Sequence, residues 1–268
     1  MNTLLDRLRE GQPPPYPVID LHGHVGRYAF PIPDLSADSL VTVMDRIGVQ
    51  CVLCSHMQCM SADDTWGNNE VQGYMRAAPG RILGYVSAFP SGPDHVRHEV
   101  SAWLAAGFSG IKLHDHNGFR YDDPAYDPAY EGAHEYALPV LLHAWGVPAQ
   151  LEAAVNIARR FGQLTIILAH GGSAHPEAYV EATRQAPNIV IDTCFSRCPL
   201  GLVEHLVREA GPDRIVFGSD CYFYSLTQQL GKIMGADLDD TSLRMVLHDN
   251  AERILAASRL PEVGQGTD

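Results

Sequence analysis

The stretch VIDLHGH, at residues 18–24, places apolar residues around one aspartate and ends in two histidines. Side chains two positions apart in a strand project from the same face, so His22 and His24 point the same way. In a parallel barrel, alternate side chains of each strand face the lumen, and functional groups lie at the carboxyl ends of the strands. The stretch therefore predicts a first barrel strand that brings two imidazoles to the barrel mouth.

Seven further β-rich runs follow along the chain, with stretches of helical periodicity between them. Such an alternation predicts parallel strands that are joined by crossover helices. The eight predicted strands are residues 18–24, 51–57, 82–89, 110–116, 139–145, 165–172, 189–194 and 215–223. Four glycines stand where left-handed caps would end the helices, a few residues before a strand: Gly48, Gly107, Gly162 and Gly211.

The length of 268 residues matches one barrel of roughly 250 residues. We therefore predict an α/β fold, a single-domain (β/α)8 TIM barrel at residues 18–260, with an N-terminal lead-in at 1–17 and a C-terminal tail at 261–268. A doubly wound open sheet is the competing architecture, because a count of strands does not show closure. Closure is favoured because the polar residues at the strand ends can converge only in a barrel.

Composition excludes several classes of partner. The formal net charge of -13 repels nucleic acid and anionic membranes, so neither is expected as a partner. No apolar run reaches the length of about 18 residues that a membrane span needs, and the first residues lack the apolar core of a secretory signal. The six cysteines are interpreted as reduced thiols of the core. Together with the lack of a recognisable secretory signal, they predict a soluble, cytoplasmic protein. A homo-oligomer is compatible with the sequence, which leaves the oligomeric state open.

Polar residues gather at the predicted carboxyl ends of the strands. His22 and His24 end the first run, His143 lies in the fifth, His170 in the sixth and Asp220 in the eighth. A lone histidine at a strand end is usually a hydrogen-bonded or surface residue, whereas five such residues at one end of a barrel indicate a site. Imidazoles with a carboxylate suit a divalent metal, zinc first, with manganese, iron or nickel as alternatives.

The chain resembles the amidohydrolase superfamily, in particular the amidohydrolase-related branch (family 2) that also contains aminocarboxymuconate-semialdehyde decarboxylase. The resemblance runs over nearly the whole chain. It includes DLHGH, GFSGIKLHDH, PVLLHAWG, IILAHGG, DRIVFGSD and HDNAERIL. The HxH pair alone is a weak motif, but the pair followed in order by the LLH, AH and GSD elements is specific.

The resemblance implies one divalent metal that is bound by His22, His24, His143 and Asp220. It implies that His170 is a catalytic neighbour of the metal. In binuclear relatives a carboxylated lysine on the fourth strand bridges two metals, so Lys112 with His143 and His170 could hold a second one. One metal is favoured, because the sequence GIKLH around Lys112 follows the pattern of the mononuclear branch.

Two reactions fit such a site, and hydrolysis is placed first. A metal-bound water, whose pKa falls to about 7, would attack an amide, lactone or ester bond of a small molecule, with Asp220 as general acid and base and His170 polarising the carbonyl. The alternative is a decarboxylase or hydratase, a lyase acting on a small carboxylated ring or ring-fission product. The third hypothesis is a catalytically silent barrel that serves as a binding protein.

Further residues are candidates for contact with a small-molecule substrate: His114, Lys112, Trp145, Arg27 and Tyr222. Lys112, His114 and His116 share one parity, so a regular fourth strand would turn all three inward. Trp145 and Tyr222 could wall the pocket. A decarboxylase would use a cation to hold carboxylates, and Arg27, Arg120 and Arg197 each follow a predicted strand.

Overall fold

Eight parallel strands lie side by side in the order of the chain in a computed structural model, which describes residues 3–29, 31–172, 174–195 and 197–260. Each strand pairs with the next one along the sequence. Their bounds are β1 Val18–Val25, β2 Val49–His56, β3 Ile82–Ser87, β4 Gly110–Leu113, β5 Pro139–Leu142, β6 Thr165–Leu168, β7 Ile189–Asp192 and β8 Ile215–Val216.

Helices occupy the connections between the strands. They are α1 Thr3–Arg9, α2 Ala37–Ile47, α3 Asp64–Ala77, α4 Pro93–Ala105, α5 Asp127–Glu135, α6 Pro148–Arg160, α7 Pro176–Gln185, α8 Leu202–Ala210, α9 Leu226–Met234, α10 Asp240–Arg244 and α11 Asn250–Ala257. Short 3₁₀ turns lie at Met57–Met60, Asp115–Asn117, Pro124–Tyr126 and Pro212–Arg214, and a π-helical turn, Met245–Asp249, joins α10 to α11.

The barrel closes between the first strand and the segment that follows the last. The amide of Leu21 donates to the carbonyl of Phe217 over 3.0 Å, and the amide of Asp220 donates to the carbonyl of His22 over 2.7 Å. Gly23 and Cys221 form a parallel bridge in the same place. The predicted (β/α)8 barrel is therefore confirmed, and the open doubly wound sheet is excluded.

A buried carboxylate reinforces this β1–β8 seam. Oδ1 of Asp20 accepts hydrogen bonds from the amides of His22 and Ser219, each over 3.0 Å, and Oδ2 accepts from the hydroxyl of Ser219 over 2.5 Å. Burial raises the pKa of Asp20 to about 7, since removal from water disfavours the charged form. The donors around both oxygens compensate by favouring the ionised form.

Apolar side chains fill the barrel below the polar mouth. The lumen is packed by residues from alternate strand positions, such as Leu21, Leu53, Tyr85, Leu141 and Ile167, all of them buried. A second, larger cluster packs the helices against the outside of the sheet. Because these side chains fill the lumen, the space that the described part of the barrel leaves open to a ligand lies at the carboxyl ends of the strands.

Most strands end earlier than the sequence predicts. The strand predicted at 110–116 stops at Leu113, and the one predicted at 215–223 stops at Val216. His170 and Asp220 have φ angles of 58° and 59°, values in the left-handed region that no strand residue adopts. His143, His170 and Asp220 therefore lie in the loops just after the strands, where the backbone turns, whereas His22 and His24 remain within β1.

The lead-in at residues 1–17 contains a packed helix, so it is more than a surface segment. In α1, Leu4 is buried, and the amide of Thr3 donates to the carboxylate of Asp240 over 2.8 Å. Three of the four predicted cap glycines have positive φ, whereas α6 ends at Arg160 with Phe161 as its cap, and Gly162 does not have a positive φ. The predicted C-terminal tail at 261–268 lies outside the described residues.

Substitution of Gly110 by alanine is expected to lower the free energy of unfolding by about 1 to 3 kcal/mol. A Cβ atom there would lie 2.6 Å from Cε1 of Tyr85 and 2.9 Å from the carbonyl oxygen of Pro139, inside the packed lumen. Urea denaturation of both proteins measures the difference. The matched control is Gly73→Ala in α3, where an added Cβ would meet no described atom within 4 Å outside its own stretch of helix, and it should unfold no more easily than the parent.

Candidate metal centre

The carboxyl ends of the strands open into a cavity of about 350 Å³. One part of its wall is polar and contains Asp220 with five histidines, His24, His114, His116, His143 and His170. The rest is aromatic or thioether, and consists of Tyr28, Met57, Met60, Trp145, Phe223 and Tyr224. A cavity of this size lies at the lower end of the range of about 300–1,000 Å³ that is usual for sites that bind small molecules.

Three of the four predicted metal ligands converge at the bottom of this cavity. The Nε2 atoms of His22 and His24 are 3.3 Å apart. Oδ1 of Asp220 is 3.1 Å from Nε2 of His24 and 3.6 Å from Nε2 of His22. All three side chains are buried, and one ligand atom from each lies within 4.8 Å of the others.

Hydrogen bonds on the far side of each imidazole orient the two rings. Nδ1 of His22 is 2.6 Å from Oδ2 of Asp192, and Nδ1 of His24 is 3.1 Å from the hydroxyl oxygen of Ser55. The Nε2 atoms consequently face Asp220. Partners of this kind behind a metal-binding histidine fix its orientation and are typical of metal sites.

The charges of the group match a metal site. Burial lowers the pKa of His22 well below its ordinary value, so the ring is neutral and Nε2 can offer a lone pair. Burial alone would raise the pKa of Asp220, but His22 and the hydrogen bond with His24 outweigh it and hold that pKa below its ordinary value. Two imidazole nitrogens and one carboxylate oxygen around a common centre fit a divalent transition metal.

His143, the fourth predicted ligand, lies outside this close group of three. Its Nδ1 is 3.1 Å from Nε2 of His170, and its ring stacks on that of His114 with the centroids 3.8 Å apart. Burial lowers the pKa of His143 and lowers that of His114 to about 2, so both rings are neutral. His170 stacks in turn on Trp145, with ring planes 1° apart and centroids at 4.5 Å.

Among the predicted substrate-binding residues, His114 and Trp145 line the cavity, and Lys112 lies beneath it. Lys112 is buried, and its Nζ is 3.3 Å from Nε2 of His22. The side chains of Lys112 and His114 point inward as predicted, but the regular strand does not continue to His116. The chain enters a 3₁₀ turn at Asp115, and His116 is exposed at the rim of the cavity. The second metal with Lys112, His143 and His170 stays a prediction.

The structure does not bring Arg27 or Tyr222 to the cavity. Gly26, with a φ of 84°, turns the chain outward after β1, and Arg27 is exposed along a separate groove. The hydroxyl of Tyr222 donates to the carbonyl of Ser36 over 2.9 Å, so its neighbours Phe223 and Tyr224 line the cavity in its place. In the described ranges, no arginine or lysine lines this cavity.

Two residues behind the histidines were not singled out from the sequence. Asp192 ends β7 in the run IVIDTC, where a lone carboxylate among apolar residues is a signal that could have drawn attention to it. Ser55, in β2, carries no comparable signal, because serine is common in buried strands. Both act through a histidine from another strand, and that contact is visible only in three dimensions.

The barrel and the group of two histidines with one aspartate at its mouth define a class of protein, the metal-dependent TIM-barrel enzymes. The family model described as Amidohydrolase matches residues 19–256. The chain belongs to this family, and the resemblance to the amidohydrolase superfamily is confirmed. The protein is an enzyme of that superfamily.

Solved structures share the fold at low sequence identity. The 2,6-dihydroxybenzoate decarboxylase from Rhizobium has a TM-score of 0.75 at 16% identity, covering 90% of this chain and 99% of its own. A 5-carboxyvanillate decarboxylase from Novosphingobium aromaticivorans, in complex with manganese and 4-hydroxy-3-methoxy-5-nitrobenzoic acid, has a TM-score of 0.73 at 14% identity, covering 90% and 96%. A dihydroxybenzoic acid decarboxylase from Polaromonas, with manganese and 2-nitroresorcinol, has a TM-score of 0.71 at 17% identity, covering 90% and 97%.

No curated protein matches the chain.

Among the helices of the described ranges, none has both the length and the apolarity of a membrane span. All six cysteines lie in those ranges, and none is paired in a disulfide. This agrees with their interpretation as thiols.

Proposed function

We propose that the protein is a metal-dependent decarboxylase that acts on a small carboxylated aromatic ring. The observation that carries the proposal is the cavity itself, in which three side chains able to bind a metal lie beside flat aromatic walls. The solved relatives are named as decarboxylases of hydroxylated benzoates, which supports this lyase reaction over the hydrolysis that the sequence placed first. The hypothesis of a silent binding protein loses support, because the predicted ligands are all present.

His22, His24 and Asp220 would hold the metal, with His143 as the fourth ligand that the sequence predicts. When bound, a divalent metal supplies a Lewis acid that holds anionic substrate oxygens. The zinc prediction rests on the ligand types, whereas two solved relatives contain manganese. Both metals therefore belong in any assay of the protein.

The aromatic walls are suited to a planar ring. The Trp145 ring is held parallel to His170, and Phe223 packs against both His24 and Tyr28, with centroid distances of 5.2 and 5.1 Å. Rings in these orientations offer faces and edges to a substrate ring, each contact contributing roughly 0.5–1.5 kcal/mol beyond the buried area. We propose that they align the substrate so that its carboxylate points to the floor of the cavity.

Asp220 is placed to carry a proton between substrate atoms. Its ionised carboxylate would accept the proton of a phenolic hydroxyl and deliver it to the ring carbon that bears the carboxylate. The bond from that carbon to the carboxylate then breaks, its electron pair returns to the ring, and carbon dioxide leaves. The phenolate regains a proton from solvent, so one proton is consumed for each carbon dioxide released. His170, between Trp145 and His143, would stabilise the charge that develops on the substrate oxygens.

Carbon dioxide release from 2,6-dihydroxybenzoate, 5-carboxyvanillate and related hydroxybenzoates tests this function. Protein loaded with Mn²⁺ or Zn²⁺ should release one carbon dioxide per decarboxylated ring, and in D₂O mass spectrometry should find one deuterium at the vacated carbon. A parallel panel of lactones, esters and amides tests hydrolysis. Turnover in that second panel without carbon dioxide from the first would contradict the proposal.

A further inference from the structure

The carboxylate of Asp192 is surrounded by hydrogen-bond donors at the end of β7. Oδ1 is 2.8 Å from the amide nitrogen of His170 and 3.1 Å from that of Cys194. Oδ2 is 2.6 Å from Nδ1 of His22 and 3.4 Å from the thiol of Cys194. The side chain is fully buried, so water does not compete for these positions.

The identities of these partners determine which nitrogen of His22 carries the proton. Backbone amides only donate, so the position of Oδ1 requires an acceptor. An ionised carboxylate only accepts, so Nδ1 of His22 must carry the hydrogen that points at Oδ2. The ammonium of Lys112, 3.3 Å from Nε2, also only donates, and this independently requires a lone pair on Nε2.

The same carboxylate also holds the loop that carries His170. The amide of His170 donates to Oδ1 at the residue where the backbone turns into the left-handed region, with a φ of 58°. A non-glycine residue in that conformation carries backbone strain and persists only where its surroundings fix it. Asp192 therefore links the ring of a predicted metal ligand to the main chain of a predicted catalytic residue.

We propose that Asp192 is a positioning residue that fixes His22 in the tautomer with the proton on Nδ1, so that the lone pair of Nε2 faces the metal. The inference concerns metal binding and does not depend on which reaction the protein catalyses. Nothing in the sequence pattern assigns this role, because Asp192 and His22 are 170 positions apart.

Two substitutions distinguish this role from a merely structural one. In Asp192→Asn, the amide oxygen must take the position of Oδ1, where two backbone amides donate, so the NH₂ group faces His22. That NH₂ group would donate to Nδ1 and force the proton onto Nε2, which removes the lone pair that binds metal. In Asp192→Ala, Nδ1 keeps only the thiol of Cys194, at 3.0 Å, and because a thiol can donate or accept, the ring can adopt either tautomer.

We therefore expect asparagine to weaken metal binding more than alanine does, although asparagine is nearly the same size as aspartate. The dissociation constant for Zn²⁺ is measured on metal-free protein by competition with a chromophoric chelator. Asp192→Asn should bind about 10–100-fold more weakly than the parent, with Asp192→Ala between the two. A structural role predicts the reverse order, since alanine leaves the larger cavity, and that order would overturn the proposal.

Asp20→Asn is the matched control, since Asp20 is also a fully buried carboxylate of the mouth region. Its Oδ2 partner is the hydroxyl of Ser219, which can accept a hydrogen bond as readily as it donates one. The asparagine therefore finds partners without altering any ring. Zn²⁺ affinity within about threefold of the parent is expected, and thermal unfolding followed by circular dichroism checks that all variants fold.

A measurement on the unsubstituted protein keeps the inference testable even if the Asp192 variants do not fold. Long-range ¹H–¹⁵N correlation spectra of the metal-free protein report the tautomer of each histidine, and the His22 signals are assigned by their loss in His22→Gln. We expect the proton on Nδ1. A proton on Nε2 of His22 would contradict the proposal.

Discussion

Replacement of Asp220 by asparagine is expected to lower kcat by about 10²–10⁴-fold, the usual contribution of a general acid or base. The amide cannot take up and return a proton, whatever the reaction turns out to be. The backbone bonds of this residue, such as the one from its amide to the carbonyl of His22, do not involve the carboxylate, so the fold should persist. Steady-state kinetics with a substrate from the carbon dioxide assay measure the loss.

The comparison needs two controls. Asp237→Asn removes a carboxylate at an exposed position outside the cavity and should leave kcat unchanged. Metal content, determined by elemental analysis, separates loss of the proton carrier from loss of a ligand. An Asp220→Asn protein that keeps both its metal and its full turnover would rule out the catalytic role assigned to Asp220.

Replacement of His24 by alanine is expected to weaken metal binding by more than about 100-fold, beyond the range typical of residues that act from behind a ligand. Nε2 of His24 is 3.3 Å from Nε2 of His22 and 3.1 Å from Oδ1 of Asp220, so its removal takes away one of the three candidate ligand atoms. Activity should fall with the metal content, and excess metal should restore it only in part. Elemental analysis after dialysis measures the metal retained per chain.

His98→Ala provides the matched control. His98 is an exposed histidine of α4 that takes no part in the cavity, so metal content and turnover should equal those of the parent. Chelator treatment of the parent protein should reproduce the behaviour of His24→Ala and should be reversed by added Mn²⁺ or Zn²⁺. Full turnover in the chelated, metal-free protein would contradict a metal-dependent mechanism.

The fold could be predicted because its signals are local and repeated. Each strand is a short apolar run, and stops such as Gly48 and Gly107 bound the helices by their left-handed conformation. Closure followed from the polar residues, which could meet only if β1 lay beside β8. The carboxyl ends of the strands were misjudged, because His143 and His170 continue the apolar alternation in sequence while the backbone has already left the sheet.

The site could be predicted only as far as its residues lie at the carboxyl ends of strands in a recognisable order. His22, His24 and Asp220 met that condition, and the structure brings them together. The directions of the loops could not be predicted: Tyr222 turns away where its neighbour Phe223 turns inward. A sequence records which residues follow a strand, but the direction of a loop side chain depends on contacts with distant parts of the chain.

The seam between β1 and β8 has a consequence for how the protein is made. Asp20 and Ser219, which join across it, are 199 positions apart, so roughly 10 to 40 s separate their synthesis at about 5–20 residues per second. During that interval the emerging polypeptide carries His22 and His24 without the carboxylate that completes their group. The group of His22, His24 and Asp220 is therefore complete only once the chain has been synthesised through Asp220.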